Sequence, residues 1–311
     1  MTHPTVLSQS VRSRREAWAW GADRLQRAGT PASAALLEAE VLLRCAAGLT
    51  REELLARPSC ELEETALVGY AGVIARRVGG VPTAYIVGRR EFFGLELLVD
   101  GRALIPRPET EHLVDVVTAA LGGRAAPVVV DIGTGCGAVA IAIARALPFA
   151  RVLATDVSAA ALDLARINAA GFRVEDRITW ALGSALDPLD RLTGGRCVDA
   201  IVSNPPYIPT SEVARLPKEV REHEPAAALD GGPDGLNVHR AIVGGAARYL
   251  VPGGMLALEV AALWDQAATV AGLIAATRAF DAPGIVRDYA GADRIVVALK
   301  RRDESFGHAR R

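Results

Sequence analysis

Apolar positions recur at helical spacing through the first eighty residues. Trp18, Ala22 and Leu25 fall at i, i+4, i+7, and Gly29 follows as a stop. Leu37, Val41, Leu42 and Cys45 form a second stripe that ends at Gly48. Thr50 followed by Glu53 fits a capping box for a short third helix, halted by Pro58. Leu67, Ala71, Ile74 and Val78 give a fourth, ending at Gly79 and Gly80. The pattern predicts a small bundle of four amphipathic helices over 1–80, serving either as a stability cap or as a docking surface.

The pattern then changes twice. Over 81–108, "AYIVG", "EFFGLELLV" and "ALIP" are β-rich stretches broken by glycines, and predict a β-hairpin that links two domains. Pro106 and Pro108 stiffen "IPRPETE", and Thr110 or Glu109 begins a helix through "HLVDVVTAAL". From about residue 127, apolar runs alternate with helical stripes. "PVVVDIG" is followed by a helix over 138–147, then "RVLATD", then a helix carrying Ala161, Leu164, Ala165 and Asn168. "RITWALG", "DAIVSN", a loop of about 27 residues, a helix around 236–250, "GGMLALEV" and a further helix come next. Continuous apolar strands alternating with helices predict a mostly parallel sheet covered on both faces, an α/β domain over 109–302. "GIVRDY" and "RIVVALK", joined by "AGAD", predict a terminal antiparallel hairpin. The tail, 303–311, is expected to be disordered. No internal repeat is evident.

Composition narrows the function classes. The 311 residues are 50% hydrophobic and 23% charged, an ordinary globular balance. Thirty-five basic against 36 acidic residues leave a net charge of −1, which argues against a broad nucleic-acid footprint. Arg12, Arg14 and Arg15, and Lys300, Arg301 and Arg302, read as solvated runs. Cys45, Cys60, Cys136 and Cys197 include no C-x-x-C pair, and the five histidines lack ligand spacing, so no metal is expected. The first twenty residues carry no apolar segment of the secretory kind, and "GAVAIAIA" (137–144) is too short to span a bilayer. A cytoplasmic protein with reduced thiols and no membrane partner is the expectation.

Two stretches carry chemistry. "DIGTGCGA" joins the first strand of the α/β domain to its first helix, and Gly133, Gly135 and Gly137 leave the backbone open to a ligand. Asp156 ends the next strand, where a carboxylate can accept both hydroxyls of a ribose. Loop and acid together indicate an adenosine-containing cofactor. Gly133-x-Gly135-x-x-Ala138 also fits a dinucleotide fingerprint, so an NAD dehydrogenase stays open. Asp131, just ahead of the loop, suits an ammonium such as the amino-acid end of S-adenosylmethionine; a dinucleotide has none. "SNPPY" ends the fourth strand beside the switch point of such a sheet. There, the Asn204 side-chain oxygen and the Pro205 carbonyl can each accept one hydrogen of a planar NH₂ group. Proline holds that geometry fixed, and the ring of Tyr207 can cover the substrate. Such a corner aims a delocalised nitrogen at an electrophilic methyl group.

These stretches resemble the class I S-adenosylmethionine-dependent methyltransferases. With "EAEVLL" (38–43), "PTAYIVGRREFFG" (82–94), "IPRPETE", "SNPPYIP", "EPAAALDGGPDGL" (224–236) and "LVPGGMLALEV", the chain closely resembles the bacterial peptide chain release factor glutamine methyltransferases over about 30–302. The resemblance implies a Rossmann-like α/β sheet with a terminal antiparallel hairpin behind an N-terminal helical bundle. It implies methylation of the side-chain amide nitrogen (N5) of glutamine in the Gly-Gly-Gln motif of class 1 release factors. S-adenosylhomocysteine would be the other product. Gly133, Thr134, Gly135, Cys136 and Gly137 match the family's cofactor loop, Asp156 its ribose acid, and Asn204, Pro205, Pro206 and Tyr207 its substrate turn. The bundle would dock the release factor. Two departures stand out. Ser184 and Ala185 occupy the place where an acid and an aromatic often meet adenine, leaving Ser184, backbone groups or Trp180 for that contact. A Gly is also commoner after the acid of "LEV". Methylation of a ribosomal-protein glutamine, or of adenine or guanine amino groups in nucleic acid, is the alternative activity; the near-neutral charge disfavours the latter.

Overall fold

The computed structural model describes residues 11–302. The predicted tail, 303–311, lies outside the described residues. The described residues divide into two compact units, one running up to Arg89 together with Pro217–His223, the other of Arg90–Leu216 with the residues from Glu224 onward.

The first unit opens with α1 (Arg14–Arg27), α2 (Ala32–Ala47), α3 (Arg51–Ala56), α4 (Glu64–Val78) and α5 (Thr83–Val87). Local chemistry sets their ends. Ser13 and Glu16 close a capping box on α1, and Thr50 and Glu53 close one on α3. Gly48 ends α2 in the left-handed region, at φ 63°. The core is formed by Ala17, Leu25, Ala35, Ala39, Leu42, Leu43, Leu54, Tyr70 and Ile74. Gly21 lets α1 approach α4, because a Cβ there would sit 1.8 Å from the Tyr70 hydroxyl. That hydroxyl donates to the Ala39 carbonyl at 3.1 Å.

The stretch "AYIVG", read from composition as strand, is helical instead. Pro82 starts the turn, Ile86 N–H donates to the Pro82 carbonyl, and Gly88 closes it at φ 77°. The β-branched content of a five-residue segment is a weak local preference, and these caps override it. The expected hairpin follows as β1 (Arg89–Phe92) and β2 (Leu95–Leu98). Phe93 and Gly94 form its two-residue loop, both at positive φ.

The second unit continues with α6 (Glu111–Leu121), β3 (Val128–Ile132), α7 (Ala138–Ala146), β4 (Arg151–Asp156), α8 (Ala159–Gly171) and β5 (Ile178–Leu182). Then come α9 (Leu189–Thr193), β6 (Val198–Ser203), α10 (Thr210–Val213), α11 (Lys218–His223), α12 (Asn237–Tyr249), β7 (Leu250–Glu259), α13 (Gln266–Ala276), β8 (Gly284–Arg287) and β9 (Asp293–Leu299). The supposed long loop after β6 thus holds two short helices, and α11 counts with the first unit. There Arg77 pairs with Glu219 at 2.6 Å and with Glu38 at 2.5 Å.

The seven-stranded sheet runs β5-β4-β3-β6-β7-β9-β8, parallel except for β9, which pairs antiparallel with both β7 and β8. Residues such as Val130, Ile201, Leu256 and Leu258 are buried, as expected of strands covered on both faces. The chain winds outward from β3 to β5 and then returns to β6, so the switch point lies between β3 and β6. Ligands bind in such sheets outside the carboxyl ends of the strands at that point. Asp131, Asp156, Ser203 and Glu259 all lie on the last two residues of their strands.

Candidate active site

A cavity of about 400 Å³ opens at the switch point. Its wall takes in Asp131 from β3, Gly133, Thr134, Gly135 and Cys136 from the loop after it, and Asp156 at the end of β4 with Val157 just beyond. Gly183, Ser184 and Ala185 follow β5, and Asn204, Pro205 and Pro206 follow β6. Phe92, Ala103, Arg107 and Thr110 close it from the segment before β3. The structure therefore gathers most of the residues singled out from sequence into one wall. Gly137, Tyr207 and Trp180 stand outside it.

The glycine loop is held by backbone. Gly133 and Thr134 N–H groups donate to the Thr155 carbonyl at 2.8 and 2.9 Å. Gly133 and Gly135 sit at φ 72° and 56°, conformations that glycine adopts without steric cost. Gly137 caps α7 at φ 87°, and a Cβ there would meet Ile141 at 3.0 Å and Ala165 at 3.1 Å. The bare Cα thus lets α7 pack closely against α8. Asn168, read from sequence only as part of a helix stripe, ties three pieces together. Its amide exchanges hydrogen bonds with Leu98 N–H and carbonyl, and donates to the Cys136 carbonyl at 2.9 Å.

The two acids differ. Asp156 accepts Gly135 N–H on one oxygen at 2.8 Å and Ser158 N–H on the other at 2.9 Å. Burial raises its carboxyl above the usual range, partly offset by those backbone donors. Asp131 is fully buried, accepts the Thr134 hydroxyl at 2.7 Å, and is pushed by burial up to about 7. A cationic group entering the cavity would offset that penalty, so the donor set fits a ligand with an ammonium and a pair of hydroxyls. Cys136 is buried, with its thiol pushed up to about 12, and is therefore no nucleophile.

The Asn-Pro-Pro-Tyr turn is braced from several sides. Asn204 Nδ2 donates to Thr110 Oγ1 at 3.0 Å, which leaves its oxygen uncommitted. Ser203 Oγ donates to the Ile132 carbonyl at 2.7 Å, locking β6 to β3. The Tyr207 carbonyl accepts Gln266 Nε2 at 2.7 Å. Ile208 N–H donates to the Leu229 carbonyl, and Gly231 N–H to the Ile208 carbonyl. Glycine is required in that bracing strip. A Cβ at Gly231 would lie 2.6 Å from the Pro206 carbonyl, and one at Gly235 would lie 2.3 Å from that of Tyr207. Arg107 pairs with the buried Glu224 at 2.6 Å, fixing the strip's start. Thr110, Gln266, Gly231, Gly235 and Glu224 were not candidates from sequence; all lie inside quoted motifs or just beyond them, without a spacing that marks a role.

Glycine loop, acid at the end of the next strand and Asn-Pro-Pro-Tyr corner, set on this strand order, define a class I methyltransferase. Residues 16–88 match the family described as PrmC N-terminal domain, and 109–219 match Methyltransferase small domain. The chain is 45% identical over 267 residues to the release factor glutamine methyltransferase of Moorella thermoacetica, covering 86% of this chain and 92% of that one. It is 38% identical over 290 residues to that of Rhodopirellula baltica, covering 90% and 94%. The catalytic domain of hMettl16, solved with the MAT2A 3'UTR hairpin 6, superposes with a TM-score of 0.55 at 18% identity, covering 75% of this chain and 83% of that one; it shares the fold. The chain belongs to the release factor glutamine methyltransferase family. Among the described residues, no helix is long and apolar enough to cross a membrane.

Proposed function

We propose that the enzyme methylates the side-chain amide nitrogen, N5, of the glutamine in the Gly-Gly-Gln motif of class 1 peptide chain release factors. S-adenosylmethionine is the donor, and S-adenosylhomocysteine the product. The observation that carries this reading is the shared wall: Asp131, Gly133, Gly135 and Asp156 line the same cavity as Asn204 and Pro205.

When bound, S-adenosylmethionine supplies a methyl carbon attached to a positively charged sulfur. Asp131 takes the ammonium of its amino-acid end, Asp156 its ribose hydroxyls, and the bare backbone of the glycine loop lets it approach. Val157, Gly183, Ser184 and Ala185 are the wall residues on the adenine side. On the substrate side, the Asn204 oxygen accepts one amide hydrogen and the Pro205 carbonyl the other. An amide nitrogen is a weak nucleophile because its lone pair is delocalised. Two fixed acceptors orient it and stabilise the positive charge that grows on the N–H groups. As nitrogen bonds to the methyl carbon the carbon–sulfur bond would break, its electron pair staying on the sulfur of S-adenosylhomocysteine, and the nitrogen gives up one proton to solvent. Tyr207 anchors the turn through its carbonyl. The helical unit docks the release factor, with exposed Leu36 and Leu37 on α2 as contact residues.

The test is one incubation with methyl-labelled S-adenosylmethionine, in which release factor, ribosomal proteins and duplex DNA compete in parallel. Label on the glutamine of Gly-Gly-Gln is expected. Label confined to ribosomal protein or to DNA overturns the substrate assignment.

A further inference from the structure

Behind the Asn-Pro-Pro-Tyr corner, at the end of β7, lies a carboxylate that the reading above does not use. Glu259 is 1% exposed, and neither of its oxygens has a hydrogen-bond partner within normal geometry. The side chain nearest in effect is the Thr110 hydroxyl, which eases the charge of the buried group. Thr110, itself buried, accepts Asn204 Nδ2 at 3.0 Å. Ser203 and Leu258 are paired in register, so Asn204 and Glu259 are the next residues at the ends of neighbouring strands, with Thr110 bonded to Asn204.

We propose that Glu259 is a positioning residue, which through the Thr110 hydroxyl holds the Asn204 amide with its oxygen facing the substrate. The proposal rests on the substrate role given to Asn204 above. A hydroxyl has one hydrogen to donate. A carboxylate accepts only, so when Glu259 is ionised the Thr110 hydrogen turns toward it. Thr110 Oγ1 can then only accept from Asn204, which must present Nδ2 to it and Oδ1 to the cavity. When Glu259 is protonated it can donate to Thr110, whose hydrogen is released toward Asn204. The amide then turns over and presents N–H groups to a substrate that is itself an N–H donor. Hydrogen bonds in catalytic sites are commonly long or poorly aligned before substrate binds, and tighten in the complex.

The charge state of Glu259 is set by its surroundings. Burial pushes the carboxyl up to about 7; the Thr110 hydroxyl and Arg294 draw it down, Glu109 adds to the rise, and Arg107 opposes it. The other groups facing it are the Tyr207 phenol, on which its charge bears, and His239, whose Nε2 meets the Glu259 carbonyl at 2.8 Å. Burial lowers the pKa of His239, and its hydrogen bond to the Glu259 carbonyl opposes that shift.

Glu259→Gln, Thr110→Val and Thr110→Ser are compared with the wild type in the full-length enzyme, using release factor as substrate. Wild-type kcat is expected to fall between about pH 8 and pH 6, as Glu259 takes up a proton. Glu259→Gln removes this limb and lowers kcat at pH 8 by about tenfold, because an amide can donate or accept and no longer dictates the direction. Thr110→Val has the same effect, and Thr110→Ser restores both rate and limb. Calorimetry of S-adenosylhomocysteine binding gives an unchanged Kd in Glu259→Gln, whose side chain is not part of the cavity wall. A readout independent of turnover is stability. Glu259 is raised when folded, so the folded state holds a proton that the unfolded state has released between about pH 4.3 and 7, and stability falls as pH rises across that window. Glu259→Gln therefore raises Tm at pH 8 by about 5 °C, with the gain vanishing below about pH 4. Wild-type kcat and an intact acid limb in Glu259→Gln, or full activity in Thr110→Val, overturn the proposal. If Glu259→Gln does not fold, the Val and Ser variants of Thr110 decide it alone. Full activity of Asn204→Ala would instead sink the substrate reading itself.

Discussion

Asp131 and Asp156 are the same residue type at the ends of adjacent strands, and their partners give them different work. Asp156 spends both oxygens on backbone N–H groups, shaping the loop as well as facing the cavity. Asp131 keeps a single side-chain partner, Thr134, and carries most of its burial penalty uncompensated. Asp131→Asn, which removes only the charge, is expected to weaken S-adenosylmethionine binding about tenfold in calorimetry without altering Tm downward, since one buried charge disappears. Unchanged affinity would remove Asp131 from the ammonium role. Asn204→Ala is expected to leave cofactor affinity within about twofold while lowering kcat by two orders of magnitude or more, about the effect of losing one fixed transition-state contact. Retained turnover would take the turn out of the chemistry. Residue type and local motif were enough to point at these positions. They were not enough for Thr110, Glu259 and Gln266, which lie 94, 55 and 62 residues from Asn204 and meet the turn only through strand order.

Elements were legible where caps or long periodic stripes marked them. The box at Thr50 and the stop at Gly48 set helix ends by short-range hydrogen bonds that sequence spacing reveals, while the Ser13 box, of the same kind, emerged only from the structure. Short segments misled. "AYIVG" is rich in β-formers, yet its i to i−4 backbone bonds and the left-handed Gly88 make it a helical turn. The stretch after β6 lacked any stripe long enough to show α10 and α11, each six residues or fewer. Gly137 belongs to this scale, since it sets how α7 leaves the loop and meets α8. Gly137→Ala requires a left-handed alanine and crowds Ile141 and Ala165. It is expected to cost about 2 kcal/mol in denaturant unfolding. An unaltered midpoint would show that the loop relaxes freely around a methyl group.

At the scale of the molecule, the cavity is lined wholly by the second unit, while the first unit consists of helices plus Pro217–His223. No cavity residue belongs to the helical unit, so surface changes on its helices need not alter the residues of the chemistry. Leu36→Asp with Leu37→Asp alters two exposed side chains on α2. Their expected signature is a tenfold or so loss of kcat/KM on whole release factor, with no change on a short Gly-Gly-Gln peptide. Equal rates on both substrates would reduce the helical unit to a stability cap.

The sequence by itself determined the alternation of strands and helices, the antiparallel pair at the end, the glycine loop with its following acid, and the stiff turn after the fourth strand of the α/β domain. Each of these depends on interactions within a few residues, or on the period of apolar positions. Only the tertiary structure decided that Thr110 meets Asn204, that Asn168 joins β2 to the glycine loop, and that Gly231 and Gly235 back the turn. Those contacts join segments far apart in the chain. They arise when β6 and β7 pair beside β3, and a one-dimensional pattern holds no record of which buried polar groups such pairing will bring face to face.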